Sequence, residues 1–344
     1  MIKSTRNTEK KNNGKNVNIV VNSSSGLNEL EQRIRPSRLD DLIGREQEKK
    51  TIRMMVSSAK KRGEVVDHVL FYGPPGLGKT TFAIAIANEI GSSIRITSGP
   101  AIERQGDLAA ILTALKPNDV LFIDEIHRLS RVVEEILYPA MEDRALDIIM
   151  GKGPSAKTIR LNLEPFTLIG ATTQIGKISS PMRDRFGLVQ RLDFFEHDDM
   201  NKILNRACKL WGIQIEDDAL DHVSKCSRGT ARIGLRLLRR VRDYAQQYAV
   251  EVVDLDVVGN TFDLLNIDNY GLEDIDRKIL DLILNSFGGG PVGLSTLAAS
   301  LSEDETTLSE VYEPFLMKCG FLKRTSRGRV LTEKGVRYIS NLYG

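Results

Sequence analysis

The stretch Gly73–Thr81, GPPGLGKTT, decides the fold. It fits G-x-x-x-x-G-K-[ST], with Gly78, Lys79 and Thr80 in the required places. The apolar run HVLFY, 68–72, precedes it. TTFAIAIANEI, 80–90, follows with helical periodicity and stops at Gly91. Strand, glycine-rich turn, helix is the context in which this pattern binds phosphate. Backbone N–H groups around Gly76 and Gly78 then point inward, and side chains there would block phosphate oxygens. The helix N-terminus adds positive potential. Lys79 can reach the terminal phosphates of ATP, and Thr80 can place its hydroxyl on Mg²⁺.

Further along, VLFI, 120–123, runs into Asp124 and Glu125, and FTLIGA, 166–171, runs into Thr172 and Thr173. Short apolar runs alternating with helical stretches predict an α/β domain around a buried parallel sheet. Asp124 is suited to hold the water shell of Mg²⁺, and Glu125 to polarise an attacking water. Either threonine can touch the γ-phosphate or that water. His127 reads as a surface or packing histidine. SSPMRDRFG supplies Arg183 and Arg185, and arginine stabilises charge spreading over phosphoryl oxygens. SRGTARIG sets Arg232 at a helix start, from which it can reach the same phosphates.

From about residue 196 the strand signal fades. NKILNRACKLWG, DALDHVSKCS and ARIGLRLLRRVRDYA are helical, the last with Ile233, Leu237 and Val241 on one face. Then come EDIDRKILDLILNSF, the breaker GGGPVG, TLAASL, and ETTLSEVYEPFLMKCG with an apolar stripe at Leu308, Val311, Tyr312, Phe315 and Leu316. FLKRTSRGRVLT closes the series with hairpin character. Helix, helix, helix, hairpin is the order of a winged helix. The expected organisation is a disordered polar tail over 1–26 and a large α/β domain over 27–195. A small helical domain over 196–266 and a winged-helix head over 267–344 follow.

The chain has 344 residues, 41% of them apolar, and a net charge of +2, so any electrostatic footprint for nucleic acid must be local. Three scattered cysteines, Cys208, Cys226 and Cys319, argue against a disulfide framework or a zinc site. No apolar run approaches the length of a membrane span, and the polar N-terminus lacks a signal-peptide core. A soluble, cytoplasmic protein without membrane partners is expected.

A phosphate loop, a DE strand end, a threonine strand end, RDRF and GTAR, in this order, resemble the AAA+ ATPases. RITSGPAIER, DVLFIDEIHRL, ILYPAMED, ALDIIMGKGPSAKTIRL and GFLKRTSRGRV narrow the resemblance to the RuvB family of Holliday-junction branch-migration motors. It runs from about Ile34 to the end. The resemblance implies a homohexameric ring on four-way-junction and duplex DNA, ATP and Mg²⁺ between subunits, a RuvA-type partner and a RuvC-type resolvase. It implies nucleotide contacts from Ile34, Arg35, Gly76, Gly78, Lys79, Thr80, Thr81, Glu142, Asp143, Arg144, Phe195 and Arg232. Thr80 and Asp124 would serve the metal. Thr173 matches the phosphate sensor and Arg185 the arginine finger acting on a neighbouring subunit. ALDIIMGKGPSAKTIRL matches the hairpin that docks RuvA, and Arg324 and Arg329 match the DNA-contacting arginines. Departures include Arg144, Phe195, Gln174, Gln105 and Ala231, the last where proline is frequent.

The basic turn FLKRTSRGRV, 321–330, thus reads as a wing that meets phosphates, since a motor walking on DNA cannot depend on sequence. Arg236, Arg239, Arg240 and Arg242 read as a solvated face or subunit contact. Two rivals remain: an AAA+ transcription regulator whose winged helix reads bases, and a clamp-loader-like ATPase. The acidic and apolar helix TTLSEVYEPFLMKCG offers few side chains for base edges, which argues against the first.

Overall fold

Val69–Tyr72 (β2), Val120–Asp124 (β4) and Thr167–Thr172 (β7) are short, almost wholly buried runs. In the computed structural model, which describes residues 19–21, 34–150 and 157–343, they form the middle of an all-parallel six-stranded sheet. Its order is β1-β3-β4-β7-β2-β8, with β1 Ile19–Val21, β3 Ile94–Ser98 and β8 Leu188–Arg191 completing it. Alternate side chains feed two cores. Phe71 and Phe122 pack with Ile52, Val56, Phe82 and Ile86 on one face. Leu70, Leu121 and Ile123 pack with Leu108, Leu112, Val133 and Leu137 on the other. Both faces are covered, as all-parallel sheets require. The register Leu70↔Gly170 and Ile123↔Gly170 aligns the C-terminal ends of β2, β4 and β7. In such sheets ligands bind beyond those ends.

Between β4 and β7 an antiparallel hairpin, β5 Ala145–Met150 and β6 Lys157–Asn162, forms its own two-stranded sheet. The middle of the expected RuvA-docking segment, 151–156, lies outside the described residues.

The lid packs helices His197–Trp211, Asp217–Cys226, Ala231–Gln247 and Leu255–Leu264 around Leu204, Val223, Leu237, Val241 and Phe262. A two-residue parallel pair, β9 Gln214–Ile215 and β10 Val252–Val253, ties its loops. The head follows with helices Asp274–Asn285 and Leu294–Leu301, then a helical run over 305–318. Its hairpin, β11 Leu322–Thr325 and β12 Gly328–Leu331, gains a third edge through the bridge Val292↔Arg329.

Three details correct the sequence reading. The tail expected to be disordered over 1–26 contains β1, paired in parallel with Ile94–Ile96. Its three β-branched residues suit a strand, and among the described residues nothing else pairs with that edge of β3. A last helix, Glu333–Tyr343, follows the wing and was not anticipated. Its start is signalled by Thr332, whose hydroxyl accepts the Gly335 N–H at 3.1 Å. Val311, expected in the apolar stripe, is exposed. A π-helical turn over Leu308–Tyr312 interrupts that helix, so α-helical periodicity fails to describe it.

Candidate nucleotide site

A cleft of about 310 Å³ opens beyond the ends of β2 and β4, where lid and α/β domain meet. Ile34, Arg35, Gly76, Gly78, Lys79, Thr80, Thr81, Asp124, Glu125, Phe195 and Arg232 all line it. The loop itself needs glycine. Gly76 has φ +80°, and a Cβ there would lie 2.9 Å from Arg232 Cβ, so the loop packs directly under the lid helix. Gly78 has φ +90° and starts the helix Lys79–Ile90. Thr230 caps the lid helix by accepting the Ile233 N–H at 3.4 Å. That fixes the approach to Arg232.

Lys79 is buried, and its Nζ donates to Gly73 O at 2.7 Å and Pro74 O at 2.9 Å. An ammonium has three donors, so one stays available to a ligand. Burial pushes its pKa below the ordinary lysine range, against the pull of Asp124 and Glu125. The Asp124 carboxyl is pushed up by burial first and by the charge of Glu125 second. Both groups are thus held at a cost that a bound anion and cation would relieve. Thr80 and Asp124 bring a hydroxyl and a carboxylate oxygen to the cleft, donor types that could hold Mg²⁺ beside phosphates. Among the described residues no cluster of three or more His, Cys, Asp or Glu side chains forms a separate metal site.

The two acids of β4 diverge. Glu125 has φ +48° and ψ +47°, a left-handed turn that swings its side chain away from Asp124. Its Oε2 lies 3.2 Å from Thr173 Oγ1 and 3.2 Å from His127 Nδ1. His127 is therefore no surface residue. Its side chain is 6% exposed, and its Nδ1 also meets Thr172 Oγ1 at 2.9 Å. Thr172 is fully buried and accepts the Gln174 N–H, which leaves Thr173 as the threonine beside Glu125.

Arg45 was not anticipated. It lines the cleft, lies over the Phe195 ring at 4.4 Å and donates to Asp193 O at 2.6 Å. It sits in a turn, LIGREQ, without a motif, so only the tertiary contact reveals it.

Other expected residues stand elsewhere. Glu142, Asp143, Arg144 and Arg185 do not line this cleft. Arg185 donates to Glu142 Oε2 at 3.1 Å and to Pro181 O at 2.7 Å, and lies over the Tyr138 ring at 4.5 Å. Asp143 pairs with Arg160 at 2.7 Å. Arg144 and Arg185 line a separate hollow with His68 and Asp184. In the wing, Arg324 and Arg329 are direct cross-strand partners, and both donate to the buried carboxylate of Glu313. Arg324 keeps half its side chain in solvent, whereas Arg329 is 12% exposed. Arg236 pairs with Glu273 and Arg240 with Asp243, while Arg242 lies over Trp211 and Arg239 lines the cleft.

A phosphate loop at the end of a parallel sheet, a helical lid and a winged-helix head define a AAA+ ATPase with a DNA-binding type of appendage. Three family descriptions cover the chain. The "Holliday junction DNA helicase RuvB P-loop domain" matches residues 34–192, the "RuvB AAA lid domain" 195–268 and the "RuvB C-terminal winged helix domain" 269–340. The Holliday junction branch migration complex subunit RuvB of Fusobacterium nucleatum subsp. nucleatum is 52% identical over 314 residues, 91% of this chain and 95% of that protein. Its counterpart from Dehalococcoides mccartyi is 53% identical, over 91% and 90%. The solved Thermotoga maritima RuvB Holliday junction branch migration motor superposes with a TM-score of 0.82 at 49% identity, covering 89% of this chain and 98% of that one. A single-residue variant of it gives 0.83 at 50% identity, covering 90% and 99%. The chain belongs to the RuvB family of P-loop AAA+ ATPases.

Proposed function

We propose that this chain is the ATP-driven motor of Holliday-junction branch migration, working as a homohexameric ring. The observation that carries the reading is the cleft in which the loop Gly76–Lys79 and the lid residue Arg232 face one another, in a chain of the RuvB family. Gly76, Gly78, Lys79, Thr80 and Thr81 bind the phosphates. Ile34, Arg35 and Phe195 hold the base and sugar end. Bound Mg²⁺, held by Thr80 and through water by Asp124, would neutralise phosphate charge. Glu125 orients and deprotonates the attacking water, with His127 fixing its carboxylate and Thr173 marking the γ-phosphate. Arg232 senses the same phosphates from the lid, so the nucleotide state sets the lid angle.

Arg185, with Glu142, Asp143 and Arg144 around it, serves a neighbouring subunit's nucleotide. That Arg185 does not line the chain's own cleft supports that role, and the Tyr138 stack holds it ready. Hydrolysis at each seam moves the lid and head, and the wing of the head draws duplex DNA by its phosphates. The β5–β6 hairpin docks a RuvA-type junction-binding protein, and a RuvC-type resolvase acts on the same junction. A cytoplasmic setting follows from that chemistry.

The test is a labelled four-way junction with ATP, Mg²⁺ and a RuvA-type protein. The wild-type chain should convert it to duplex products. Glu125→Gln should bind ATP and DNA yet convert none. Wild-type turnover by Glu125→Gln would refute the assignment of that residue, and absence of junction conversion by the wild type would refute the function.

A further inference from the structure

The head reaches the hydrolytic groups of its own chain. Glu310, in the π-helical turn Leu308–Tyr312, places Oε2 3.2 Å from Thr173 Oγ1. Glu125 Oε2 stands at the same 3.2 Å from that hydroxyl on behalf of the α/β domain. A threonine hydroxyl has one proton to donate. Two carboxylates therefore compete for it, and they repel one another across it. One proton shared between two carboxylates makes a weak clasp. It persists because the head is fastened elsewhere, and π-helical turns recur where function has shaped a helix.

The same helical run leads to the wing. Three residues on from Glu310, the buried carboxylate of Glu313 receives Arg324 and Arg329. A phosphate backbone that engages Arg324 thus competes with Glu313 for its charge and pulls on the helix that carries Glu310. Wing and catalytic groups are joined by one stretch of backbone with a discrete contact at each end.

We propose that Glu310 is a positioning residue that restrains hydrolysis: while the head is docked it occupies the Thr173 hydroxyl and crowds Glu125, and it withdraws from both when DNA draws on the wing. The restraint rests on the reading of Glu125 and Thr173 as hydrolytic groups. It needs no contact with nucleotide, since Glu310 does not line the cleft.

The test is steady-state ATP turnover of the full chain with and without duplex DNA, for wild type, Glu310→Gln, Glu310→Ala and Glu125→Gln. Removing the carboxylate should raise DNA-free kcat by roughly five-fold, the scale of one part-exposed charged hydrogen bond in a two-state balance. KM for ATP should stay constant, and so should the DNA-saturated rate. Stimulation by DNA then shrinks by the same factor. Unchanged DNA-free turnover and stimulation in both Glu310 variants overturn the proposal, as does a fall in turnover with and without DNA. Glu125→Gln separates the two layers. If it is inactive while the Glu310 variants match wild type, only the restraint is lost. If it turns over normally, the hydrolytic reading fails and the restraint falls with it.

Discussion

Arg228 of the lid and Asp276 of the head meet at 2.6 Å, with side chains 6% and 0% exposed. Arg228 also donates from Nε to Gly271 O at 3.0 Å and lies over the Phe315 ring at 4.9 Å. Arg277 adds a bond to Asn266 O across the same joint and one to Leu272 O within the head. Lid and head are thereby one unit, and Arg232, four residues beyond Arg228, carries the nucleotide cleft into it. A buried pair of this kind adds rigidity more surely than stability, because desolvation offsets much of the attraction. Burial accordingly pushes the Asp276 carboxyl up, against the opposing charge of Arg228.

Removing one member strands the other. Asp276→Ala leaves the buried guanidinium with only the longer 3.7 Å pair to Glu273 and should cost about 3 kcal/mol of the transition that includes the head. Arg228→Met combined with Asp276→Leu should lose less than either single change. Urea unfolding followed by tryptophan and far-ultraviolet signals reads both effects. A double variant as unstable as the sum of the singles would mean that the pair is no coupled unit.

A second consequence concerns acid. His68 Nδ1 accepts the Leu168 N–H at 2.9 Å, and its Nε2 lies 3.3 Å from Met141 O as the donor. The ring rests against Phe166 with centroids 5.6 Å apart. Every polar atom of the neutral ring is satisfied, and protonating Nδ1 would break the bond to β7. Burial pushes the pKa below the usual imidazole value, despite the Met141 carbonyl. The sign follows: the unfolded chain takes up a proton that the folded chain refuses. Stability is full above about pH 6.5 and falls as pH drops toward the folded value, at up to ~1.4 kcal/mol per pH unit. His127 and His222, also lowered by burial, act in the same direction. His68→Gln should therefore show a shallower loss of melting temperature between about pH 7.5 and about pH 5 than the parent chain, though not a flat one. Identical slopes would remove His68 from the account.

The three middle strands of the sheet, the lid helices and the helix-to-hairpin order of the head were legible because they rest on local signals. Apolar runs of four to six residues, the glycines of 73–78 and the periodicity of 231–247 each act over one element. The residues around the cleft were legible for a related reason: Lys79 opens the helix after the loop that follows β2, Asp124 ends β4 and Thr173 follows β7, and a parallel sheet brings those ends together. What escaped depends on partners far apart in the chain. Thr173 meets Glu310 at a separation of 137 residues, and Arg45 reaches Asp193 at 148. His127 is two positions from Glu125, yet only the left-handed turn at Glu125 turns the two side chains together. Charge counting likewise could not tell that Arg329 is mostly spent on Glu313.

That last point yields a test of the wing. Two guanidiniums around one buried carboxylate leave a single net positive charge, and Arg324 carries its exposed part. Lys323 and Arg327 flank it in solvent. Arg324→Ala should weaken duplex binding for all sequences alike and reduce the slope of log K against log salt by about 0.9, one phosphate contact. Glu313→Gln removes the internal counter-charge, so both arginines turn outward and the slope should steepen by a similar amount. Arg329→Ala acts differently. It leaves Arg324 as the sole partner of a buried carboxylate, which holds that side chain inward and costs DNA affinity without direct contact. Anisotropy of a labelled duplex, titrated at several salt concentrations, reads all three variants. An Arg324→Ala slope equal to that of the parent would place the DNA elsewhere on the head, and a Glu313→Gln slope no steeper would mean that Glu313 does not govern the charge the wing presents.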